Sequence, residues 1–275
     1  MKDLNIFKRI LKYIEKFLKF SLCEMKTTNN YGLNGPYLSW NDAIQACTGY
    51  ESDLILKKTK EALLKVKNGE AVYERDSVLF DEIQYSWPLL AGLMWVAAQS
   101  GGRLNVLDFG GSLGSTYYQN REFLEQLIHV RWNIVEQPKH VSVGKEFFED
   151  EMLRFYPTIE EYHKNNSPDV IIMSGVLQYL ENPYEILESL FDLPSDYIII
   201  DRTPFWNGEI DHIFVQHVPS SIYEASYPSW IFSKDKIYRL FKTKKWKIIA
   251  QFKTDDYLSG FVDLSFEGII IARNQ

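Results

Sequence analysis

At 275 residues, with 45% hydrophobic and 24% charged positions, the chain has the composition of a soluble globular protein, long enough to bury a substantial core in one α/β domain with extensions. A formal net charge of −7 argues against a nucleic-acid binder, which usually carries a basic surplus. Two cysteines, Cys23 and Cys47, make neither a disulfide framework nor a metal-ligand spacing and are expected as free thiols in a reducing cytoplasm; no apolar run is long enough to span a bilayer.

The first expected element is an amphipathic helix, Asn5 to Phe20, with Phe7, Ile10, Leu11, Ile14, Phe17 and Leu18 on one face and lysines on the other. Those lysines interrupt every apolar stretch, so the segment does not read as a signal peptide. Its basic face fits docking on the domain or on a second subunit, and also fits the inner surface of an anionic membrane. Lys26 to Gly35 reads as a linker. Helices follow from Ser39 to Ala46, capped by Ser39, and from Ser52 to about Lys67, ended by Asn68-Gly69. Glu70 to Asp81 gives no clear pattern. Glu82 to Gln99 reads as a Trp-rich helix broken near Pro88.

Leu104 to Leu107 is a short apolar run of the kind that forms a buried strand. It ends on Asp108 and a turn containing Gly110, Gly111, Ser112 and Gly114, where glycines allow positive φ and close approach of a ligand. A helical pattern from Tyr117 to Ile128 leads to a second run, Trp132 to Val135, which ends on Glu136. Strand, glycine loop, helix, strand and acid make a nucleotide-binding βαβ unit. Further strands are expected at Leu153–Tyr156, Val170–Ser174 and Tyr197–Asp201, with helices from Val141 to Asp150 and beyond Gly175. These runs do not alternate, as expected for parallel strands covered on both faces. Residues 202–232, with His212, His217, Tyr223, Tyr227, Trp230 and Phe232, are too long and irregular for a simple connection and read as an aromatic lid. A helix from Lys234 to Lys242, capped by Ser233, and strands Trp246–Lys253 and Glu267–Ala272, with a turn at Tyr257 to Gly260, close the chain as an antiparallel hairpin.

The expected architecture is therefore α/β: a Rossmann-like, seven-stranded, mostly parallel sheet with helices on both faces, a C-terminal antiparallel hairpin and an N-terminal helical extension. The division falls between residues 1–100 and 101–275. Asp108 stands two residues before the first glycine, where its charge would repel a pyrophosphate. A ligand with a cationic amine suits it better, and S-adenosylmethionine carries both an ammonium and a sulfonium.

The spacing Asp108, Gly110, Ser112, Gly114 follows D-x-G-x-G-x-G with serine at the middle glycine. In this the chain resembles the class I S-adenosylmethionine-dependent methyltransferases. More closely, it resembles an uncharacterised bacterial family of methyltransferase-like proteins often associated with surface polysaccharide gene clusters. The resemblance covers nearly everything after Tyr37 and includes GPYLSW, GEAVYERDSVLF, YSWPLLAGLMW, LDFGGSLGSTYYQ, NIVEQ, SGVLQYLENP, DRTPF and QHVPSSIYEASYPSWIFS. It implies that Asp108 and the backbone from Gly110 to Gly114, including Gly111 and Ser112, face the methionine part of the cofactor. It further implies that Glu136 takes both ribose hydroxyls, that Gln137 sits beside the adenosine, and that Ser174, Gly175 and Val176 line the methyl-donor side.

An alcohol acceptor needs its proton removed. His217 is the first candidate base, with Asp201 and Arg202 at the fifth strand's end, where Arg202 can clamp a phosphate or carboxylate or pair with Asp201 or Glu209. Tyr118 is a candidate wall for the cofactor. Trp87, His212, Tyr227 and Trp230 are candidates for the acceptor, and core packing is the commoner fate of any one aromatic. Asp201, Asp211 and His212 are metal-ligand types without metal-ligand spacing, so no metal is expected. The reading is methyl transfer to a hydroxyl or amine of a small polar acceptor, a nucleotide-activated sugar or surface-glycan precursor. A Rossmann-like scaffold without catalysis, which Ser112 favours, and a nicotinamide-dependent oxidoreductase are the rivals.

Overall fold

The computed structural model describes residues 32–47, 52–218, 225–256 and 263–274. The amphipathic helix of residues 5–20, Cys23, Tyr223 and the turn at Tyr257 to Gly260 lie outside the described residues.

The elements are β1 (Gly32–Tyr37), α1 (Trp40–Ala46), α2 (Ser52–Lys67), β2 (Tyr73–Arg75), β3 (Val78–Phe80), α3 (Trp87–Gln99), β4 (Arg103–Phe109), α4 (Ser115–Leu124), β5 (His129–Val135), α5 (Pro138–Phe147), β6 (Leu153–Tyr156), α6 (Ile159–His163), β7 (Val170–Ser174), a 3₁₀ turn (Leu177–Tyr179), α7 (Pro183–Phe191), β8 (Tyr197–Trp206), β9 (His212–His217), β10 (Ser226–Ser233), α8 (Lys234–Thr243), β11 (Trp246–Lys253) and β12 (Leu264–Arg273). Seven strands in the order β6-β5-β4-β7-β8-β12-β11 form the central sheet. The first five are parallel to one another, and β12 runs antiparallel to both β8 and β11. This is the expected Rossmann-like arrangement with its closing hairpin.

The strands read as unbroken apolar runs because each face meets helices. On one face Leu104, Val106, Trp132, Ile134 and Ile172 pack with Leu63 of α2, Leu93 of α3, Tyr117 of α4 and Val141 of α5. On the other, Leu107, Val135, Ile171 and Met173 pack with Tyr162 of α6, Leu190 of α7 and Phe241 of α8. Full burial of each such side chain is worth roughly 1.5–3 kcal/mol, so these two layers dominate the stability of the domain.

Four expectations change. The described parts of the expected lid, residues 202–218 and 225–232, are mostly strand: β8 runs on to Trp206, and β10 pairs with its end at Phe205 and Trp206. β9 pairs with β10, and β1 with β9, so this part of the chain is an antiparallel extension of the sheet. Its polar and aromatic composition hid the period-2 pattern. The stretch taken as a linker supplies β1 from Gly32 onward; among the described residues β1 is an edge strand, a position that tolerates Pro36. The unpatterned stretch before Asp81 is the hairpin β2–β3, turned at Asp76 and Ser77, both with positive φ. Pro88 does not break a helix but starts one, since its missing N–H costs nothing in the first turn. The N-terminal extension thus contributes strands as well as helices.

Candidate active site

The chain goes from β4 outward to β5 and β6, then returns to the other side of β4 as β7 and β8. The crevice beyond the C-terminal ends of β4 and β7 is therefore a topological switch point, where open α/β sheets hold ligands. Four pieces meet there: the glycine loop after β4, Glu136 after β5, Ser174-Gly175-Val176 after β7, and Asp201-Arg202 within β8.

Gly110 and Gly114 have φ of 73° and 107°, and Ser112 has φ of 52°, so serine at the middle position keeps the left-handed backbone. At Gly110 a Cβ would stand 2.3 Å from Val176 Cγ2, so glycine is what lets the loops after β4 and β7 touch across the switch point. Asp108 is 1% exposed and lies beneath this loop. Its Oδ2 accepts from the indole of Trp132 at 3.0 Å. Burial pushes its pKa up to about 7; the indole bond opposes the rise and the charge of Glu136 adds to it. Asp108 is thus the floor of the loop rather than an exposed ligand group, and it lies within electrostatic reach of Glu136. Glu136 itself is partly open: its Oε2 accepts from the backbone N–H of Gln137 at 2.5 Å and lies 4.0 Å from His140 Nδ1. Gln137 is exposed at the start of α5.

On the other side of the crevice, Gly175 has φ of 64°, and its N–H donates to the carbonyl of Asp201 at 3.0 Å. Ser174 Oγ lies 3.5 Å from Asp201 Oδ2, the outer limit of a hydrogen bond. β8 bulges here. Ile200 faces Ile269 and Thr203 faces Glu267, so Asp201 and Arg202 together oppose Gly268. The extra residue, Arg202, has φ of 51°. Bulges of this kind re-aim side chains beside functional sites. Asp201 is 1% exposed, and its Oδ1 has no protein partner. Burial raises its pKa to about 6, with Arg202 opposing the rise. Arg202 pairs with neither Asp201 nor Glu209. Its guanidinium donates to Asp76 at 2.7 Å and to Asp256 at 3.1–3.2 Å.

Asp76 brings in a piece that sequence patterning did not find. In the β2–β3 hairpin Glu74 is 1% exposed and accepts from Ser115 Oγ, at the exit of the glycine loop, at 2.5 Å and from Ser77 N–H at 2.7 Å. Burial raises Glu74 to about 6, against the pull of those hydrogen bonds. The hairpin therefore bridges the two sides of the crevice, Glu74 on the glycine loop and Asp76 on Arg202. The sequence signals were the motif GEAVYERDSVLF within the family resemblance and its charge run Glu74-Arg75-Asp76 ahead of a serine.

No family model matches the chain, and no curated protein matches it. Among solved structures it is similar to the N-terminal domain of EvdMO1, solved in the presence of SAH and D-fucose, at 13% identity over 82% of this chain and 98% of that one, with a TM-score of 0.48. It is also similar to the 1,6-didemethyltoxoflavin-N1-methyltransferase of Burkholderia thailandensis, at 13% identity over 89% and 94% of the two chains and a TM-score of 0.43. A third is an S-adenosylmethionine-dependent methyltransferase of Clostridium acetobutylicum, at 9% identity over 68% and 91% and a TM-score of 0.45.

Several expected site residues lie elsewhere. Tyr118 is 8% exposed in the core behind the loop, edge-on to Tyr117 and Phe148, because helical periodicity turns it inward from α4. Trp87 is 60% exposed and contacts Tyr85 and Phe123 on the outside of the molecule. His212 is buried, with its ring 4.6 Å from that of Trp206. Trp230 stacks on Trp40 at 5.8 Å and donates to the carbonyl of Leu180 at 2.9 Å, fastening the extension to the core. His217 shares the side of β9 that carries Ile213 and Val215 against Ala43 of α1. The neighbouring Gln216 points the other way and accepts from Tyr179 Oη at 3.1 Å, where Tyr227 also lies edge-on to Tyr179. Strand alternation therefore puts His217 and Gln216 on opposite sides of β9, with Tyr227 on the side of Gln216. Asp211 is engaged by Tyr184, the N–H of Ser233 and Lys236. Among the described residues no group of three or more His, Cys, Asp or Glu is placed to share a metal ion, and no helix is long and apolar enough to cross a membrane.

Proposed function

We propose that the chain is an S-adenosylmethionine-dependent methyltransferase acting on a small polar acceptor. One observation carries this reading: the sign of the charge around the crevice. Asp108, Glu136, Asp201 and Glu74 surround it, and its arginine, Arg202, is neutralised by Asp76 and Asp256. A pyrophosphate would meet repulsion here at close range, whereas an ammonium and a sulfonium would be drawn in. That favours the methyl donor over a dinucleotide.

In this reading the backbone from Gly110 to Gly114 lies along the methionine portion. Asp108 acts through the loop from below, Glu136 takes the ribose hydroxyls with its two oxygens, and Gln137 flanks the adenosine. Ser174, Gly175 and Val176 line the methyl side. The cofactor, when bound, supplies an electrophilic methyl group. The chain aligns the acceptor with that carbon and excludes water, and such positioning can lower a barrier by roughly 7–11 kcal/mol. Asp201 replaces His217 as the group that takes the acceptor's proton, since it stands at the methyl end with an unpartnered oxygen. The acceptor is a hydroxyl or amine of a sugar or surface-glycan precursor, which rests on the family resemblance.

Isothermal titration with S-adenosylhomocysteine tests the cofactor, with NADH as the rival ligand. Saturable binding of S-adenosylhomocysteine alone is expected. Heat only with NADH, or with neither at millimolar ligand, overturns the proposal. Glu136→Ala should weaken binding by about tenfold or more, the loss expected for a charge-assisted contact.

A further inference from the structure

At the opposite end of the sheet the chain builds a second concave site, and it is basic. The helix after β6, α6, is only five residues long, roughly 7–8 Å, while β4 and β5 each run seven residues, roughly 23 Å. α6 therefore covers the upper part of that sheet face, where Leu107 and Val135 meet Tyr162, and leaves the lower part without a helix. The side chains on the lower part are polar. Arg103 and Asn105 of β4 lie beside His129 and Arg131 of β5 in parallel register, all on the face that Leu107 and Val135 share higher up.

The loop leading into β7 closes the notch from below and is held firmly. Asn105 N–H donates to Asp169 Oδ2 at 2.7 Å, Asp169 N–H donates back to the Asn105 carbonyl at 2.8 Å, and Asn105 Nδ2 donates to the Ser167 carbonyl at 2.6 Å. Asn133 fixes Asn105 in turn, at 2.7 Å. The result is a preformed recess of about 310 Å³. Its single carboxylate, Asp169, is engaged by the Asn105 N–H. Arg121, Arg202 and Arg273 each have a carboxylate within 4.0 Å. Arg103 and Arg131 have none among the described residues, and both are exposed. Two free guanidinium forks and an imidazole thus converge on one small recess in a chain of net charge −7.

We infer that this notch is an anion site for a small phosphate-bearing molecule, gripped by Arg103 and Arg131. The guanidinium fork matches phosphate oxygens bidentately, and the size suits a phosphoryl or diphosphoryl group rather than a large ligand. The site is separate from the strand-tip crevice and does not depend on the methyl-transfer reading.

The test is titration of the full chain with inorganic pyrophosphate at low ionic strength, followed by calorimetry and by ³¹P NMR. Saturable binding is expected, weakened by about tenfold in Arg131→Gln and in Arg103→Gln and abolished in the double variant, with sulfate competing. Arg239→Gln, an exposed arginine on α8, should leave the affinity unchanged. Both notch arginines are exposed, so each variant should melt with the parent chain and retain its affinity for S-adenosylhomocysteine. Absence of saturation, an unchanged affinity in the double variant, or an equal loss in Arg239→Gln would overturn the proposal.

Discussion

The carboxyl group of Asp108 fills the space that a side chain on Gly111 would need: a Cβ built there stands 2.5 Å from Asp108 Cγ. The acid and the glycine are therefore coupled: while Asp108 is present, the loop can pass over the strand tip only with glycine at position 111. Gly111→Ala should lift the loop or displace the carboxyl. Overpacking of this kind costs about 1–3 kcal/mol, and each kcal/mol corresponds to roughly 2–4 °C of melting temperature in a chain this size. A thermal melt should show that loss together with weakened S-adenosylhomocysteine binding. Adding Asp108→Ala to Gly111→Ala should recover part of the melting temperature but none of the affinity.

Asp108 also makes binding depend on pH. Its pKa stands at about 7 because it is buried, with Glu136 adding to the rise. A raised carboxyl contributes stability that is present below its ordinary pKa, 3.8, and is lost as pH rises through about 7. The free protein should therefore lose stability as pH rises between those limits. A bound cation favours the ionised acid, so affinity for S-adenosylhomocysteine should rise with pH between about 6 and 8, with protons released on binding. Calorimetry in buffers of different ionisation enthalpy reads that release directly. A binding heat that is the same in all buffers would remove Asp108 from the ligand's field.

Much of this site was legible in the chain because βαβ units announce themselves locally. Asp108, the glycines and Glu136 are fixed by a strand end, a turn and the next strand end, all within one stretch. The mostly parallel sheet followed from the non-alternating runs, and its antiparallel end from the final hairpin. What escaped was non-local. Glu74 and Asp76 reach the crevice only because a hairpin 41 residues before Ser115 and 126 before Arg202 folds over it, and no periodicity records such a contact. The orientation of His217 was hidden for a related reason: the period of 2 that turns it away from Gln216 and toward the α1 side could be applied only once β9 was known to be a strand.

Arg202 joins the hairpin to the segment after β11, and its two partners are unequal. The Asp256 side chain is 18% exposed and takes two of the guanidinium's nitrogens, whereas that of Asp76 is 60% exposed and takes one. Solvent screens the second pair. Asp76→Asn should therefore cost less than about 1 kcal/mol, and Asp256→Asn about 2 kcal/mol, because it strips the more buried partner from a cation that stays charged. Denaturant titration of the two variants separates these values. Equal losses would mean that both bridges are governed by solvent, and the hairpin would then be held mainly by Glu74 on Ser115, Ser77 beside Thr59 and the buried Tyr73.

The role given to Asp201 differs from a structural one in what its removal should change. Asp201→Asn keeps the shape, the contact with Ser174 and the carbonyl that receives the Gly175 N–H, but removes the basic oxygen. If Asp201 takes the acceptor's proton, methyl transfer should fall by about 10²–10⁴-fold while S-adenosylhomocysteine affinity holds within a few-fold. The acid limb of the rate profile, near 6 from the raised pKa of Asp201, should vanish in the variant. A structural carboxyl would behave otherwise: its loss would lower melting temperature and cofactor affinity together, and the acid limb would survive in whatever activity remained. His217→Gln is the matching control. Its side of β9 faces α1, so it should retain the parent rate, and a large loss there would return the base to the extension.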